Sequence, residues 1–211
     1  MVNYEQEYHD KVHKNLINNS KYYLFRAKYA DKIYWRYLKG KVLEFGSGLG
    51  QNIFLHKAEA KGVDISEFSI RFCKKKGIDV AKDLKKIKSN SMDSILVSHC
   101  LEHLENPADN LREFYRILKR GGMLLIILPT WNENKPVENF KSNISKHLYS
   151  WNFYEINELL RSVGFEIKLN KFNYASGFSV FYKWNFELAL SLITILGKIR
   201  NKKEMLILAE K

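Results

Sequence analysis

The chain has 211 residues, of which 45% are apolar and 14% aromatic, so it suits one folded domain and is not an intrinsically disordered chain. Its net charge of +12 is compatible with nucleic acid, an anionic membrane surface or an acidic substrate as a partner, and does not choose among them. Two cysteines without CxxC spacing, Cys73 and Cys100, exclude a disulfide framework and a cysteine-rich zinc site, and they suit the reducing cytoplasm.

The sequence predicts neither a signal peptide nor a membrane span. The amino-terminal residues carry charges where a signal peptide would need an apolar run. The longest apolar stretch, 178–197, contains Lys183 and Glu187, which would be costly in the centre of a bilayer. We therefore interpret this stretch as a soluble helix and expect a cytoplasmic protein.

Residues 1–39 are predicted to form one or two helices that cover the main sheet. Aromatic and aliphatic side chains recur there at helical spacing, as in Tyr22, Phe25 and Tyr29.

The pattern changes after Gly40 to short apolar runs, which are KVLEF, KGVDI, IDV, MDSILVSH and MLLIIL. Helix-like segments at 51–57, 67–76 and 108–119 lie between them, which is the signature of βαβ units and predicts five parallel strands. Because the runs at 95–97 and 124–128 are apolar without alternation, we expect helices on both faces of a doubly wound sheet.

The remaining chain departs from simple alternation. It contains a helix near 153–162 closed by Gly164, a strand FEIKLNKF, the soluble helix and a final strand MLILA. The sequence thus predicts an α/β fold with a mostly parallel sheet of seven strands and a reversed edge strand near the carboxyl end, in an order that one sequence does not fix.

The first strand leads directly into a glycine-rich turn, Glu44-Phe45-Gly46-Ser47-Gly48-Leu49-Gly50. Glycines there let a ligand approach the backbone and leave helix amides free to meet an anion. The second strand ends in Asp64, where doubly wound folds hold a ribose diol. The two features together predict a nucleoside ligand, and a tight turn without a ligand is the alternative. Position 51 is glutamine, so the dinucleotide fingerprint GxGxxG is not met.

The GxGxG pattern with an acidic residue two positions before it resembles motif I of the class I S-adenosylmethionine-dependent methyltransferases. The segments GVDIS, AKDL, SMDSILVSHCLEHLENP and ILKRGGMLLIILP resemble later motifs of that family in the same order, so the resemblance covers about 42–129. It is closest to the small-molecule (type 11-like) branch. It implies a Rossmann-like methyltransferase fold of a single domain at 1–211, with a helical cover at 1–39, a cofactor-binding core at 40–130 and an acceptor-side region at 131–211.

The resemblance implies S-adenosyl-L-methionine as cofactor and methyl transfer to a small-molecule, sugar or lipid-linked acceptor, at oxygen, nitrogen or carbon. An RNA methyltransferase and a non-catalytic, cofactor-binding regulatory partner are the alternatives. The chain lacks the Asp/Asn-Pro-Pro-aromatic motif used on exocyclic amines of nucleic-acid bases, which disfavours nucleic acid as the acceptor.

The resemblance also assigns cofactor contacts. Glu44 would orient the methionine ammonium and Asp64 would hold the ribose hydroxyls. The other positions are Gly46, Gly48 and Gly50 in the loop, Ile65, Asp83 and Leu84 on the adenine side, and Ser98 and His99 at the methyl-donor end. The alternative for Asp83 is an ordinary aspartate in a turn. The alternative for Ile65 is a position in the hydrophobic core.

His103 and His147 are the candidate catalytic bases, because a histidine near the methyl donor can take a proton from a hydroxyl or amine acceptor. The alternative for His103 is a structural role in fixing the loop. The alternative for His147 is a solvent-exposed position in a loop. We expect no metal site, since the histidine pairs 9/13 and 99/103 have helical spacing without a carboxylate or third ligand.

The acceptor pocket is expected where the chain is least like a common pattern, and aromatic side chains with polar tips suit it. The candidates are Tyr22, Trp131, His147 and Trp151. An aromatic core is the competing interpretation.

Two basic regions of the sequence are compatible with a nucleic-acid or membrane partner. Residues 71–88 hold eight basic residues against Asp79 and Asp83, a net charge of +6, which fits either a phosphate-tracking patch or a lysine-rich surface. The soluble helix and the basic residues after it could touch anionic lipid or could pack against the sheet. The oligomeric state is not predicted.

Overall fold

Seven strands form one mixed sheet in the computed structural model, which describes residues 6–130 and 147–211. The strands are β1 (Val42–Phe45), β2 (Ala60–Val63), β3 (Val80–Ala81), β4 (Met92–Ser98), β5 (Leu118–Pro129), β6 (Glu166–Tyr174) and β7 (Lys203–Glu210). Their order is β3-β2-β1-β4-β5-β7-β6. The first five are parallel, and β7 is antiparallel to both of its neighbours.

Eight α-helices surround the sheet in the described ranges. They are α1 (Gln6–Val12), α2 (Lys14–Asn18), α3 (Ser20–Ile33), α4 (Glu67–Lys75), α5 (Pro107–Ile117), α6 (Phe153–Val163), α7 (Phe178–Phe181) and α8 (Phe186–Ile199). Local capping sets several ends. Asn152 and Glu155 form a reciprocal capping box at the start of α6, and Gly164 ends that helix with a φ of 110°.

Both faces of the sheet are buried, as its apolar runs predict. On one face α5 and α6 contribute Phe114 and Leu160, which are fully buried. On the other face Tyr29 of α3 packs in a cluster with Leu125 and Leu206 of the sheet. Apolar side chains on both sides of the central strands therefore fix the register of the sheet.

The predicted fold class is confirmed, and the order of its last strands is now known. The reversed strand is β7, which lies between β5 and β6, so β6 itself occupies the edge. The amino-terminal half of β7 pairs with the carboxyl end of β5, with Leu206 opposite Ile127.

Three local elements differ from the expected pattern. Residues 51–57 form turns and a short 3-10 helix (Phe54–His56). The stretch 178–197 is divided into α7 and α8, because Asn185 caps α8 by accepting hydrogen bonds from the backbone N–H groups of Glu187 and Leu188. From residue 6 onwards, three α-helices, rather than one or two, precede β1.

Helix α8 has one buried face and one exposed face. Ala189 and Ile193 of α8 are fully buried, whereas Leu188, Ile195 and Ile199 are exposed. Within the described ranges, every helix is too short or too polar to cross a bilayer.

Candidate active site

A cavity of about 590 Å³ lies at the carboxyl ends of β1, β2 and β4. This is the edge where doubly wound sheets bind their ligands. Four groups of residues line it: Tyr8, His9 and His13 in or next to α1; Phe45, Gly46 and Gly48 at the end of β1; Val63, Asp64 and Ile65 at the end of β2; and, on the remaining side, His99, Cys100, His103, Leu104, Glu105, Asn106, Asn110 and Leu148.

A wider depression of about 910 Å³ lies at the opposite edge, beside the residues that precede β1, β2 and β4. Its wall includes Asp31, Lys32, Arg36 and Glu59, which are charged side chains on an open surface. We therefore place the candidate site in the smaller cavity, which contains the glycine-rich turn.

The glycines of the turn have distinct roles. Gly46 and Gly48 both have positive φ values, 69° and 52°. A Cβ atom on Gly46 would lie 2.3 Å from Cys100 Sγ, whereas no described atom lies within 4 Å of a Cβ atom on Gly48. Close packing thus requires glycine at 46, and an open approach to the backbone exists at 48.

Asp64 connects the second strand to the glycine-rich turn. Its Oδ2 accepts a hydrogen bond of 2.7 Å from the Gly48 N–H, and its Oδ1 accepts one of 2.9 Å from the Ser66 N–H. An ionised carboxylate only accepts hydrogen bonds, which is the chemistry that a ligand diol requires. The turn and its acidic partner are already held in place.

Glu44 is 1% exposed and points a carboxylate into the base of the turn. Its Oε1 accepts a hydrogen bond of 2.7 Å from Asn52, and its Oε2 has no hydrogen-bond donor within the described residues. Burial raises the pKa of Glu44 to about 8, the bond from Asn52 opposes this rise, and the charge of Asp64 adds to it. A buried carboxylate with an unused oxygen suits a cationic ligand group.

His99 follows β4 in the left-handed region, with a φ of 50°. Its Nε2 lies 3.0 Å from Glu204 Oε2, at the start of β7. Burial lowers the pKa of His99, but the hydrogen bond and charge of Glu204 outweigh it and raise the pKa overall. Glu204 Oε1 accepts hydrogen bonds from Tyr34 and Asn173. These bonds hold the carboxylate that pairs with His99.

The two predicted catalytic histidines lie together. The ring centroids of His103 and His147 are 4.7 Å apart in an edge-to-face contact. The Oε1 atom of Glu102, which is 1% exposed, lies 3.8 Å from His103 Nε2. Burial raises the pKa of Glu102, and the charge of His99 opposes the rise. Burial also lowers the pKa of His147, and the charge of His99 lowers it further, so a neutral imidazole is favoured there.

Among the other cofactor candidates, only Ile65 lies on the cavity wall, with 62% of its surface exposed. Ser98 is half-buried at the end of β4. Asp83 accepts a hydrogen bond from the Lys85 N–H in an exposed turn, and Leu84 is buried in the core. The side of Gly50 that would carry a Cβ atom faces the side chains of Ile78 and Cys73, away from the opening.

The acceptor candidates are dispersed. Tyr22 packs in the core with Leu16 and makes an edge-to-face contact with Tyr182. Trp151 stacks on Tyr149 at a centroid distance of 5.1 Å, and its Nε1 has no acceptor among the described residues. Trp131 lies outside the described residues.

Sequence reasoning missed the part that α1 plays in the cavity. His9 is 3% exposed, and its Nε2 lies 2.9 Å from Ser69 Oγ. Burial lowers the pKa of His13 to about 4, with smaller contributions from the charges of His9 and Arg26. The i, i+4 spacing of the two histidines was the available signal, because it places both on one helix face.

The comparisons with known proteins agree with this geometry. The methyltransferase domain family matches residues 43–126. An uncharacterized protein of Methanocaldococcus jannaschii is 34% identical over 137 residues, which cover 61% of this chain and 65% of the relative. The match thus spans less than two thirds of the relative's length.

Solved structures share the fold. A SAM-dependent methyltransferase from Archaeoglobus fulgidus has a TM-score of 0.65 and 22% identity, covering 95% of this chain and 99% of its own. Haemonchus contortus phosphoethanolamine N-methyltransferase 2 in complex with S-adenosyl-L-methionine has a TM-score of 0.63 and 15% identity, covering 100% of this chain and 60% of its own.

Residues 43–126 thus match a methyltransferase domain, and the solved structures show that the chain has the fold of S-adenosylmethionine-dependent methyltransferases. The predicted fold is thereby confirmed, and the domain match supports the predicted family and its cofactor.

Proposed function

We propose that this protein transfers a methyl group from S-adenosylmethionine to a small-molecule, sugar or lipid-linked acceptor bound in the 590 Å³ cavity. The observation that carries the proposal is the shared position of the glycine-rich turn, Asp64 and the polar side chains after β4 on the wall of one cavity. When bound, the cofactor supplies an electrophilic methyl group on a positively charged sulfur.

The described residues fit this cofactor. Gly48 leaves open space beside its backbone, and the carboxylate of Asp64, on the cavity wall, is a hydrogen-bond acceptor that suits ribose hydroxyls. The unused Oε2 of Glu44 offers a partner to the methionine ammonium. Gly46 and Gly50 hold the turn, Ile65, Asp83 and Leu84 are proposed for the adenine side, and Ser98 and His99 for the methyl-donor end.

The cover formed by α1 favours a small acceptor. Tyr8, His9 and His13 form one wall of the cavity, so the site is a recess rather than an open groove. A recess of this size holds small ligands, excludes water and can align two reactants, which are the main requirements of a displacement at a methyl carbon. His103 and His147 are proposed to act at the acceptor end, where Trp151 and Trp131 remain candidate contacts.

Calorimetric titration of the protein with S-adenosylhomocysteine tests the proposal. We expect binding that Asp64→Ala weakens by about 10- to 100-fold, because charge-assisted hydrogen bonds to the ribose are lost. Asp79→Ala is the matched control, since Asp79 is an exposed aspartate just before the neighbouring strand β3. Folding of each variant is checked by circular dichroism, and a folded wild-type protein that does not bind the compound would refute the proposal.

The acceptor itself can be sought with an isotopically labelled methyl donor in a metabolite extract. Labelled products formed by the wild-type protein, and absent with Asp64→Ala, identify the acceptor class by mass spectrometry. Turnover by the isolated chain would also reject the alternative of a regulatory partner without activity.

A further inference from the structure

A second polar cluster lies beside the cavity. Glu102 and His103 belong to a 3-10 turn (Leu101–His103) that follows β4, and His147 approaches them from the chain before α6. One potential ligand atom of each side chain lies within 4.8 Å of those of the other two.

Glu102 is unusual within this cluster. It is 1% exposed, and neither of its carboxylate oxygens accepts a hydrogen bond from any described residue. A carboxylate removed from water without donors is costly, and such a group normally pairs with a cation. The nearest histidine nitrogen atoms, His103 Nε2 at 3.8 Å and His99 Nδ1 at 3.9 Å, lie beyond hydrogen-bond distance and leave room for an ion between them and the carboxylate.

We propose that Glu102, His103 and His147 bind a divalent transition-metal ion at the acceptor end of the cavity. Two imidazoles and one carboxylate form a ligand set that suits zinc and its neighbours in the first transition row. Magnesium and calcium prefer ligand sets made of oxygen atoms and fit this cluster less well.

The backbone holds the third ligand in place. The N–H groups of Leu148 and Tyr149 both donate to the carbonyl oxygen of Glu102, at 2.8 Å and 3.2 Å. His147 directly precedes this contact, so its side chain is tied to the turn that carries the other two ligands. The cluster therefore depends on a fixed connection and not on a chance approach of two loops.

His99 supplies a further argument for the ion. Its Nδ1 faces Glu102, while its Nε2 is bonded to the carboxylate of Glu204. Histidines that bind metals commonly have their second ring nitrogen paired with a carboxylate, which fixes the orientation of the ring. His99 is thus positioned as a fourth ligand or as a support for the first three.

The site faces the cavity through His103, which lines its wall. An ion held by three protein ligands retains open coordination positions, and an oxygen or nitrogen atom of the acceptor could occupy one of them. Contact between the ion and the methyl acceptor rests on the proposed function, whereas binding of the ion to the protein does not.

Titration of the EDTA-treated, dialysed protein with Zn²⁺ and Mg²⁺, followed by calorimetry, tests the inference. We expect one equivalent of Zn²⁺ to bind, with Mg²⁺ weaker by about 100-fold or more. Co²⁺ added in place of Zn²⁺ should give visible d–d absorption, which reports coordination by nitrogen and oxygen. Glu102→Gln and His147→Ala should each weaken the binding of Zn²⁺ by about 10- to 100-fold.

His56→Ala is the matched control, because His56 pairs with Asp31 far from the cavity and its loss should leave Zn²⁺ binding unchanged. His147 is only partly buried, so its variant keeps the test informative if Glu102→Gln fails to fold. Absence of Zn²⁺ binding, or binding that His147→Ala does not weaken, would overturn the proposal. Titration with S-adenosylhomocysteine in EDTA is scored separately, so failure of the metal site and failure of the cofactor site are distinguishable.

Discussion

The buried carboxylate of Glu44 links the cofactor site to pH. Its pKa is raised to about 8 because burial disfavours the charged form. If the methionine ammonium binds beside it, the ammonium favours the ionised form, and a proton is released on binding.

We predict that affinity for S-adenosylhomocysteine rises with pH between 6 and 8, by at most about tenfold per pH unit. Calorimetry at several pH values measures the slope. Glu44→Gln has no proton to release and should show a flatter profile. An equal slope in the variant would mean that Glu44 is not the group that releases the proton.

The same carboxylate should affect stability in the absence of cofactor. Because the folded-state pKa lies above the ordinary value of 4.5, the folded protein binds this proton more tightly than the unfolded chain does. The contribution of Glu44 to stability is therefore fully present below pH 4.5 and is lost as pH rises to about 8.

We expect Glu44→Gln to have a larger free energy of unfolding than the wild-type protein at pH 8, by a few kcal/mol, with a smaller difference at pH 5. Urea denaturation at the two pH values provides the comparison. A difference that does not change with pH would contradict this assignment.

Two glycines of the turn should respond differently to the same substitution. Gly46→Ala places a methyl group 2.3 Å from Cys100 Sγ and should destabilise the protein by about 2 kcal/mol or more. Gly48→Ala meets no described atom within 4 Å, so it should cost only the strain of a positive φ while obstructing the cofactor.

Thermal unfolding and titration with S-adenosylhomocysteine separate these two effects. Equal losses of stability in the two variants would contradict the distinction, as would undiminished binding by a folded Gly48→Ala protein.

At the scale of elements, the helices before β1 should respond to acid. Burial keeps the pKa of His13 near 4, below its ordinary value of 6.5, so the folded protein resists protonation of this side chain. Stability that depends on neutral His13 is present above pH 6.5 and is lost as pH falls toward 4.

Hydrogen exchange at pH 7.5 and 5, corrected for the intrinsic rate, should show that α1 and α2 lose protection at the lower pH. Helix α5 serves as the internal control because its apolar face is fully buried. His13→Gln should reduce the difference, and unchanged protection of α1 in the wild-type protein would refute the expectation.

The elements of the sheet core could be predicted because their signals are local. Runs such as MLLIIL are apolar along their whole length, and Gly164 marks the end of α6 by its own conformational freedom. The position of β7 could not be predicted, since insertion between β5 and β6 depends on pairing with residues far away in the chain.

The same distinction applies to the site. The glycine-rich turn and Asp64 are adjacent to strands that the pattern identifies, so they could be found from the sequence. The partnership of His99 with Glu204 joins residues 105 positions apart, and only the fold brings them together. Glu102 carried no sequence signal because nothing local shows that its carboxylate is buried.

At the scale of the whole molecule, β7 should be essential to the sheet. Ile207 is fully buried and packs in the core cluster beneath α5 and α6, whereas Leu208 on the opposite face is only half-buried. We expect Ile207→Ala to cost about 3 kcal/mol and Leu208→Ala about 1 kcal/mol. Thermal and urea unfolding measure both, and equal losses would contradict the described orientation of this strand.

The place of β7 also constrains how the protein is made. Strand β6 meets the other strands only through β7, which the ribosome produces later. Until β7 has been synthesised, β6 has no strand to pair with, and β5 pairs with β4 alone. The nascent chain therefore passes through a stage with an uncovered β5 border, and chaperones that bind exposed strands would act on it in that interval.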